Sequence, residues 1–143
     1  MGTTFAHVGI TVTDIEKTCE FYEKYFGFKR DYGSFFDEGY FHERQAQFRQ
    51  PPGVSCEMQM LRSPDGVLLE LFRFSNAEPG GDVCWQRTGY NHITLLVDDI
   101  EALSERLAGD GVCVFLPVQK RSRGDGLWVY IKDPDGNVIE LWG

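Results

Sequence analysis

Several features that mark common classes of protein are absent from this sequence or scarce in it. No apolar run approaches the roughly 20 residues that a membrane-spanning helix requires. Basic residues are outnumbered, with 14 Lys and Arg against 22 Asp and Glu and a formal net charge of −8. Phosphate backbones are bound by clustered basic side chains, and the one basic cluster here, residues 120–123, is short. We therefore expect no nucleic-acid partner and no membrane partner.

Cysteine is too scattered to indicate a disulfide framework. The four cysteines include no Cys-x-x-Cys pair; they are Cys19, Cys56, Cys84 and Cys113. The N-terminus also lacks the charged start and apolar stretch of a signal peptide. Reduced, mostly structural thiols and a cytoplasmic location are therefore expected.

The sequence contains an internal repeat. Phe5–Glu16 reads FAHVGITVTDIE, and Tyr90–Glu101 reads YNHITLLVDDIE, so that His precedes the Ile of Asp-Ile-Glu by the same spacing in both. A later segment, SPDGVLLELF at 63–72, is answered by DPDGNVIELW at 133–142. Two matched spacings in one order indicate a duplicated module. We predict one domain over 1–143, with module 1 at 5–74, a linker at 75–88 and module 2 at 89–143.

Each module shows the pattern of a strand, a helix and further strands. Period-two alternation predicts a first strand over 5–13, and Asp14 is a suitable N-cap for a helix through Phe26 that Gly27 ends. Strands follow at 28–36, 55–61 and 67–74. The second module has predicted strands at 90–97, 112–118, 127–132 and 137–142, and a helix over 100–108. The stretch 37–53 has no counterpart of similar length in the second module. We expect it to form either a lid or binding loop, or a surface excursion with a little local helix.

Strand alternation places four polar side chains on the face away from the helices. In module 1 this face carries His7 and Glu70, and in module 2 it carries His92 and Glu140. A carboxylate between buried leucines is costly unless it is paired or bound to metal. Two imidazoles and two carboxylates suit a divalent ion such as zinc, nickel, cobalt, manganese or iron. We therefore predict a metal site formed by His7, Glu70, His92 and Glu140.

The duplicated module, with His early and Pro-Asp-Gly…Glu late, resembles the vicinal oxygen chelate superfamily of glyoxalases, bleomycin resistance proteins and extradiol dioxygenases. The resemblance spans Phe5 to Trp142. It implies an α+β fold of paired βαβββ modules in a curved, cup-shaped mixed sheet, and a homodimer. The ligand set His-Glu-His-Glu is most similar to that of bacterial glyoxalase I. It implies a lactoylglutathione-lyase-like metalloenzyme with Zn, Ni, Co or Mn.

That resemblance implies proton transfer next to a carbonyl of a small-molecule substrate, through a metal-chelated enediolate. Glu140 is the expected base, and Glu70 is the symmetric candidate. The sequence departs from the pattern at Thr11 and Phe74, where glyoxalase I typically has the Arg and Asn that hold glutathione. A basic residue elsewhere, Arg73, Lys120 or Arg121, is a candidate replacement. An acyl-CoA or sugar-acid epimerase and an antibiotic-binding resistance protein are the alternative functions.

Overall fold

Two four-stranded mixed sheets make up the fold, and each belongs to one half of the chain. The computed structural model describes residues 2–143 and separates into unit 1, Met1–Pro79, and unit 2, Gly80–Gly143. Each unit has a strand, a helix and then further strands, so the predicted βαβββ modules are confirmed. Within residues 2–143, no helix is both long enough and apolar enough to cross a membrane.

The elements of unit 1 are β1 (His7–Thr11), α1 (Ile15–Phe26), β2 (Lys29–Phe36), α2 (Glu38–Glu43), α3 (Gln45–Phe48), β3 (Cys56–Arg62) and β4 (Leu68–Phe74). Its sheet has the strand order β1-β4-β3-β2, in which β1 runs parallel to β4 and the other pairs are antiparallel. Helix α1 begins and ends as predicted. The Asp14 side chain accepts a hydrogen bond from the Lys17 N–H, and Gly27 ends the helix at a φ of 67°, which glycine adopts without strain.

Unit 2 repeats this arrangement, and its elements are β5 (His92–Leu96), α4 (Ile100–Gly109), β6 (Gln119–Lys120), β7 (Leu127–Lys132) and β8 (Val138–Trp142). The strand order of its sheet is β5-β8-β7-β6, and β5 runs parallel to β8. Asp99 caps α4 by accepting a hydrogen bond from the Ala102 N–H.

The continuous strand predicted over 112–118 is wrong. Val114 forms an isolated bridge with Ile131, and regular pairing resumes only at Gln119. Pro117 lies between these two segments and has no N–H to donate to a ladder. Strand β6, which lies at one edge of the unit 2 sheet, therefore has only two residues.

Apolar side chains that face the helix form a large part of the core of each unit. In unit 1, Leu69 and Leu71 are 2% and 0% exposed, and in unit 2 Ile139 and Leu141 are both 0% exposed. Two of the four thiols, Cys19 and Cys56, are also buried, and this burial raises the pKa of each to about 11. Both therefore remain protonated core side chains at neutral pH.

The turn before β8 is held by a buried carboxylate. Asp133 is 5% exposed, and its side chain accepts hydrogen bonds from the backbone N–H groups of Asp135 and Asn137 and from the Asn137 side-chain amide. In unit 1 the equivalent position is Ser63, whose hydroxyl accepts one bond from the Val67 N–H. The turn of unit 2 is therefore stabilised by more side-chain hydrogen bonds than the turn of unit 1.

We predict that Asp133→Ala lowers the free energy of unfolding by about 2–3 kcal/mol, because three donors lose a charged acceptor. Urea denaturation followed by circular dichroism measures the effect. Ser63→Ala, the matched change in unit 1, should cost less than about 1 kcal/mol. Equal losses of unfolding free energy in the two variants would contradict the conclusion that Asp133 stabilises its turn more than Ser63 does.

Candidate metal centre

In unit 1 the first strand and the last strand bring His7 and Glu70 together. The parallel register sets Gly9 of β1 opposite Glu70 of β4. Because Leu69 and Leu71 are buried under the helix, Glu70 points to the other face, which also carries His7. The Nε2 atom of His7 lies 3.3 Å from the Oε2 atom of Glu70.

Unit 2 forms the same pair with different neighbours. Thr94 of β5 lies opposite Glu140 of β8, and the Nε2 atom of His92 is 3.3 Å from the Oε2 atom of Glu140. The two His–Glu contacts thus have the same length and involve the same atoms. The facing that strand alternation predicts for all four side chains is therefore found in each unit.

Both glutamates are largely buried without a cationic partner. The side chains of Glu70 and Glu140 are 17% and 13% exposed. Neither forms an ion pair with a Lys or Arg anywhere in residues 2–143. A desolvated carboxylate is destabilising unless a positive charge or several hydrogen bonds compensate it. The two pairs therefore lack a positive charge that a divalent cation would supply.

The spacing of the paired atoms also fits ligands of one ion. Nitrogen and oxygen ligands about 2.1 Å from a shared ion, at angles of 90–110°, lie roughly 3.0–3.4 Å from each other. The observed 3.3 Å between Nε2 and Oε2 falls within that range in both pairs. Each unit thus presents two of the four predicted ligands. Across residues 2–143, no three His, Cys, Asp or Glu side chains form a ready metal cluster.

The two carboxylates differ in one neighbour, which the repeat comparison did not single out. The Thr94 hydroxyl donates a hydrogen bond of 2.9 Å to Oε2 of Glu140. The equivalent residue in unit 1 is Gly9, which has no side chain, and a Cβ atom there would lie 3.5 Å from Oε2 of Glu70. Glu140 is therefore oriented by a second residue, whereas Glu70 is not oriented in this way.

Aromatic rings surround the pair in unit 2. Trp85, which lies in the predicted linker, packs 5.8 Å from the ring of His92 and 5.1 Å from that of Tyr130. Tyr130 pairs with Glu140 across the sheet. Burial, and secondarily the charge of Glu140, raise the pKa of the Tyr130 phenol. Tyr130 is therefore a neutral hydroxyl beside the carboxylate, and sequence reasoning missed both aromatic residues.

The segment 37–53 contains the local helices α2 and α3 and packs onto the face of unit 1 that carries Glu70. Phe41 of α2 is 2% exposed, and its ring lies 5.6 Å from that of Phe74. Phe74 in turn stacks 6.0 Å from Phe72, which shares the face of Glu70. Phe74 therefore packs against segment 37–53 through Phe41. Thr11 is exposed on the same face.

The three basic candidates occupy different faces. Arg73 pairs across the sheet with Glu57 on the helix side and bonds its carboxylate at 2.7 Å, so it points away from Glu70. Lys120 pairs with Leu127 and so lies on the side opposite to Trp128 and Glu140. Arg121 stacks on Trp142, which shares the face of Glu140. Among these three, only Arg121 lies on a face that carries a His–Glu pair.

We predict that Thr94→Val weakens the binding of a divalent ion by about tenfold, because outer residues that orient a metal ligand contribute 10–100-fold to affinity. Competition with a chelating dye measures the dissociation constant, and Thr94→Ser should restore it by returning the hydroxyl. Thr11→Val is the matched control on unit 1 and should leave affinity unchanged. Unaltered affinity in Thr94→Val would show that the hydroxyl does not orient Glu140.

Two curated relatives are both lactoylglutathione lyases. The enzyme of Pseudomonas putida is 32% identical over 149 aligned positions, which cover 96% of this chain and 83% of that protein. The enzyme of Schizosaccharomyces pombe is 28% identical, and the match covers 94% of this chain and 45% of that protein. The chain therefore spans less than half the length of the yeast protein.

Solved structures show the same fold. A glyoxalase family protein from Bacillus cereus aligns with a TM-score of 0.78 and 23% identity, over 96% of this chain and 91% of that chain. A fosfomycin resistance protein from Listeria monocytogenes, solved with Mn(II) and sulfate, aligns with a TM-score of 0.63 and 21% identity, over 100% and 93%. The sequence matches the Glyoxalase/Bleomycin resistance protein/Dioxygenase superfamily over residues 4–141. With this match and the 32% identity to the Pseudomonas enzyme, the chain belongs to that superfamily.

Proposed function

We propose that the pairs His7–Glu70 and His92–Glu140 together bind one divalent ion, and that the protein is a metal-dependent lyase or isomerase of the glyoxalase I type. The observation that carries the proposal is the burial of two carboxylates, each beside a histidine and neither compensated by a Lys or Arg of the described chain. The names of the two curated relatives support the reaction class.

The donor set favours zinc, nickel, cobalt or manganese, because imidazole nitrogen and carboxylate oxygen suit these ions. When bound, the ion supplies Lewis-acid stabilisation of negative charge that develops on two adjacent oxygens of the substrate. The Mn(II) in the Listeria protein supports a divalent ion in this fold.

Glu140 is proposed as the base that removes a proton from the carbon next to the carbonyl and returns it to the neighbouring carbon. Thr94 donates a hydrogen bond to Oε2 of Glu140 and so orients this carboxylate. Tyr130 pairs with Glu140 across the sheet, and its ring lies 5.1 Å from that of Trp85, so two aromatic side chains flank this side of the pair. Glu70 is the equivalent candidate in unit 1. The variants Glu140→Gln and Glu70→Gln distinguish which of the two glutamates is the base.

The proposed substrate is a small hydroxycarbonyl compound or the adduct of a thiol with an aldehyde. The lactoylglutathione lyases favour a glutathione adduct, but the usual clamp is replaced by exposed Thr11 and by Phe74, which packs against Phe41. The proposed proton transfer is therefore the same as in glyoxalase I, and the thiol part of the substrate is proposed to bind through other residues than the usual Arg and Asn. An acyl-CoA or sugar-acid epimerase and a binding or resistance protein are the alternatives that the assay must separate.

We predict that chelation of the metal abolishes turnover of methylglyoxal hemithioacetals, and that reloading with one of zinc, nickel, cobalt or manganese restores it. With the metal at a saturating concentration, so that the loss of one proposed ligand does not limit activity, Glu140→Gln should lower kcat by about 10²–10⁴-fold, because removal of a general base costs that much. Glu70→Gln should mainly weaken metal binding. Glu57→Gln, on the helix side and paired with Arg73, is the control and should retain activity.

Three results would overturn this proposal or redirect it. A metal content below about a tenth of an equivalent per chain after reconstitution would exclude the shared site, since tight structural and catalytic ions bind stoichiometrically. Deuterium incorporated from solvent into an acyl-CoA, with no turnover of hemithioacetals, would favour the epimerase. Stoichiometric binding of an antibiotic by the metal-loaded protein without turnover would favour a resistance protein.

We further propose that the protein is a cytoplasmic homodimer. Strands β1 and β5 are terminal in their sheets and each has one strand partner, so each presents an unpaired edge. Exposed apolar side chains lie beside these edges: Phe5, Tyr90 and Leu96 are 78%, 106% and 82% exposed. Such edges are usually covered by another chain or protected by charge.

We predict that light scattering coupled to size exclusion gives twice the mass of one chain. Leu96→Lys should shift the protein towards the monomer by placing a charge beside the edge of β5. Val67→Lys, which alters an exposed apolar residue in the turn before β4, is the control and should remain dimeric. A monomeric wild-type protein at tens of micromolar concentration would exclude the homodimer.

A further inference from the structure

Asn91, the residue before His92, contacts the ring nitrogen of that histidine that does not face Glu140. The Oδ1 atom of Asn91 lies 2.6 Å from Nδ1 of His92, in a partly buried contact. The other ring nitrogen, Nε2, lies 3.3 Å from Oε2 of Glu140. The first distance is that of a short hydrogen bond, and the second is longer than a typical one. The hydrogen bond of the neutral ring is therefore the one to Asn91.

This contact decides which ring nitrogen carries the hydrogen. An amide oxygen accepts hydrogen bonds and cannot donate them, so Nδ1 of His92 must be the donor. A neutral imidazole has a single N–H group, and a hydrogen at Nδ1 leaves a lone pair on Nε2. A nitrogen that binds a metal must present such a lone pair. Asn91 therefore holds His92 in the tautomer whose ligand atom faces Glu140.

Two aromatic rings restrict the orientation of the same imidazole. The Tyr130 ring lies 5.4 Å from that of His92 at an interplanar angle of 71°, and the Trp85 ring lies 5.8 Å away. Edge-to-face contacts at such distances are favourable. The side chain of His92 is accordingly only 25% exposed. Both the plane of this ring and the position of its hydrogen are therefore set by neighbouring residues.

The histidine of unit 1 has no such support. The residue before His7 is Ala6, which has no polar side chain. Within residues 2–143, the side chain of His7 has one hydrogen-bonding or ionic partner, which is Glu70. This side chain is 43% exposed, against 25% for His92. The two His–Glu pairs thus have the same spacing, but the imidazole of unit 1 is held less firmly.

We propose that Asn91 is a positioning residue for the metal site, because it keeps the hydrogen of His92 at Nδ1 and leaves Nε2 ready to bind the ion. This inference rests on the proposed function. Thr94 orients Glu140 in the same unit, so both proposed ligands of unit 2 are preorganised by an outer residue. Unit 1 has no polar side chain at either equivalent position. The pair of unit 2 is therefore the preorganised half of the site.

Metal affinity tests this role. Asn91→Leu removes the acceptor with little change in size and should weaken zinc binding by about 10–100-fold, the usual effect of losing a residue that orients a ligand. Asn91→Asp keeps an acceptor oxygen and should bind zinc at least as tightly as the wild type. Competition with a chelating dye measures the dissociation constants. Asn76→Leu, the same change at an exposed position of unit 1, is the matched control and should leave affinity unchanged.

Nitrogen-15 NMR of the metal-free protein reads the tautomer directly. Under alkaline conditions imidazole rings are neutral, and the shifts of the two ring nitrogens show which one carries the hydrogen. The chain has three histidines, so His7→Gln and His42→Gln identify the signals of His92. The hydrogen should lie at Nδ1 in the wild type and in Asn91→Asp. In Asn91→Leu it should shift towards Nε2, where it can be donated to Glu140.

The two measurements separate this inference from the proposed function. A wild-type hydrogen at Nε2, or equal zinc affinities of Asn91→Leu and the wild type, would overturn the role of Asn91 even if hemithioacetals are turned over. Equal losses of affinity in Asn91→Leu and Asn91→Asp would also overturn it, because they would indicate a packing role. If the chain binds no metal, the proposed function fails, whereas an Nδ1 hydrogen that is lost in Asn91→Leu alone would still support the orientation of His92 by Asn91.

Discussion

The parallel pairing of the first strand with the last strand in each module is the constraint on which the site depends. Glu70 lies between Leu69 and Leu71, which are buried against the helix side, so its carboxylate must face the other way. Burying two leucine side chains stabilises the fold by about 3–6 kcal/mol, and this burial fixes which face of β4 is turned towards the helix. The register with β1 then sets His7 beside that carboxylate. The same geometry recurs with His92 and Glu140.

The two modules share the His–Glu pair and differ in the residues around it. Opposite the glutamate, unit 1 has Gly9 where unit 2 has Thr94. On the neighbouring strand Met60 of unit 1 corresponds to Tyr130 of unit 2. Unit 1 is thus apolar around its carboxylate, with the ring of Phe72 nearby, whereas unit 2 adds the Thr94 hydroxyl beside its carboxylate and places Arg121 over the Trp142 ring.

Prediction from sequence succeeded where a signal is local. The ends of α1 follow from the side-chain cap at Asp14 and from Gly27, both of which act within one helical turn. The prediction of a continuous strand over 112–118 is wrong because it follows the apolar pattern and ignores Pro117. The missing N–H of this proline is enough to interrupt the ladder of backbone hydrogen bonds. The sequence of segment 37–53 does not decide between a lid or binding loop and a surface excursion, since the burial of Phe41 depends on Phe74, which belongs to a strand after the segment.

The sequence by itself determined which four residues are candidate ligands and which face of its strand each one occupies. Alternation and repeat spacing carry that information, because neighbouring residues along a strand point in opposite directions. Only the tertiary structure decided the surroundings of each candidate. The Thr94–Glu140 hydrogen bond joins residues 46 positions apart, and the place of Arg121 depends on Gly126 and on Trp142 of another strand. Such contacts arise from strand register and from the space between side chains, and no local pattern in the chain encodes either of these.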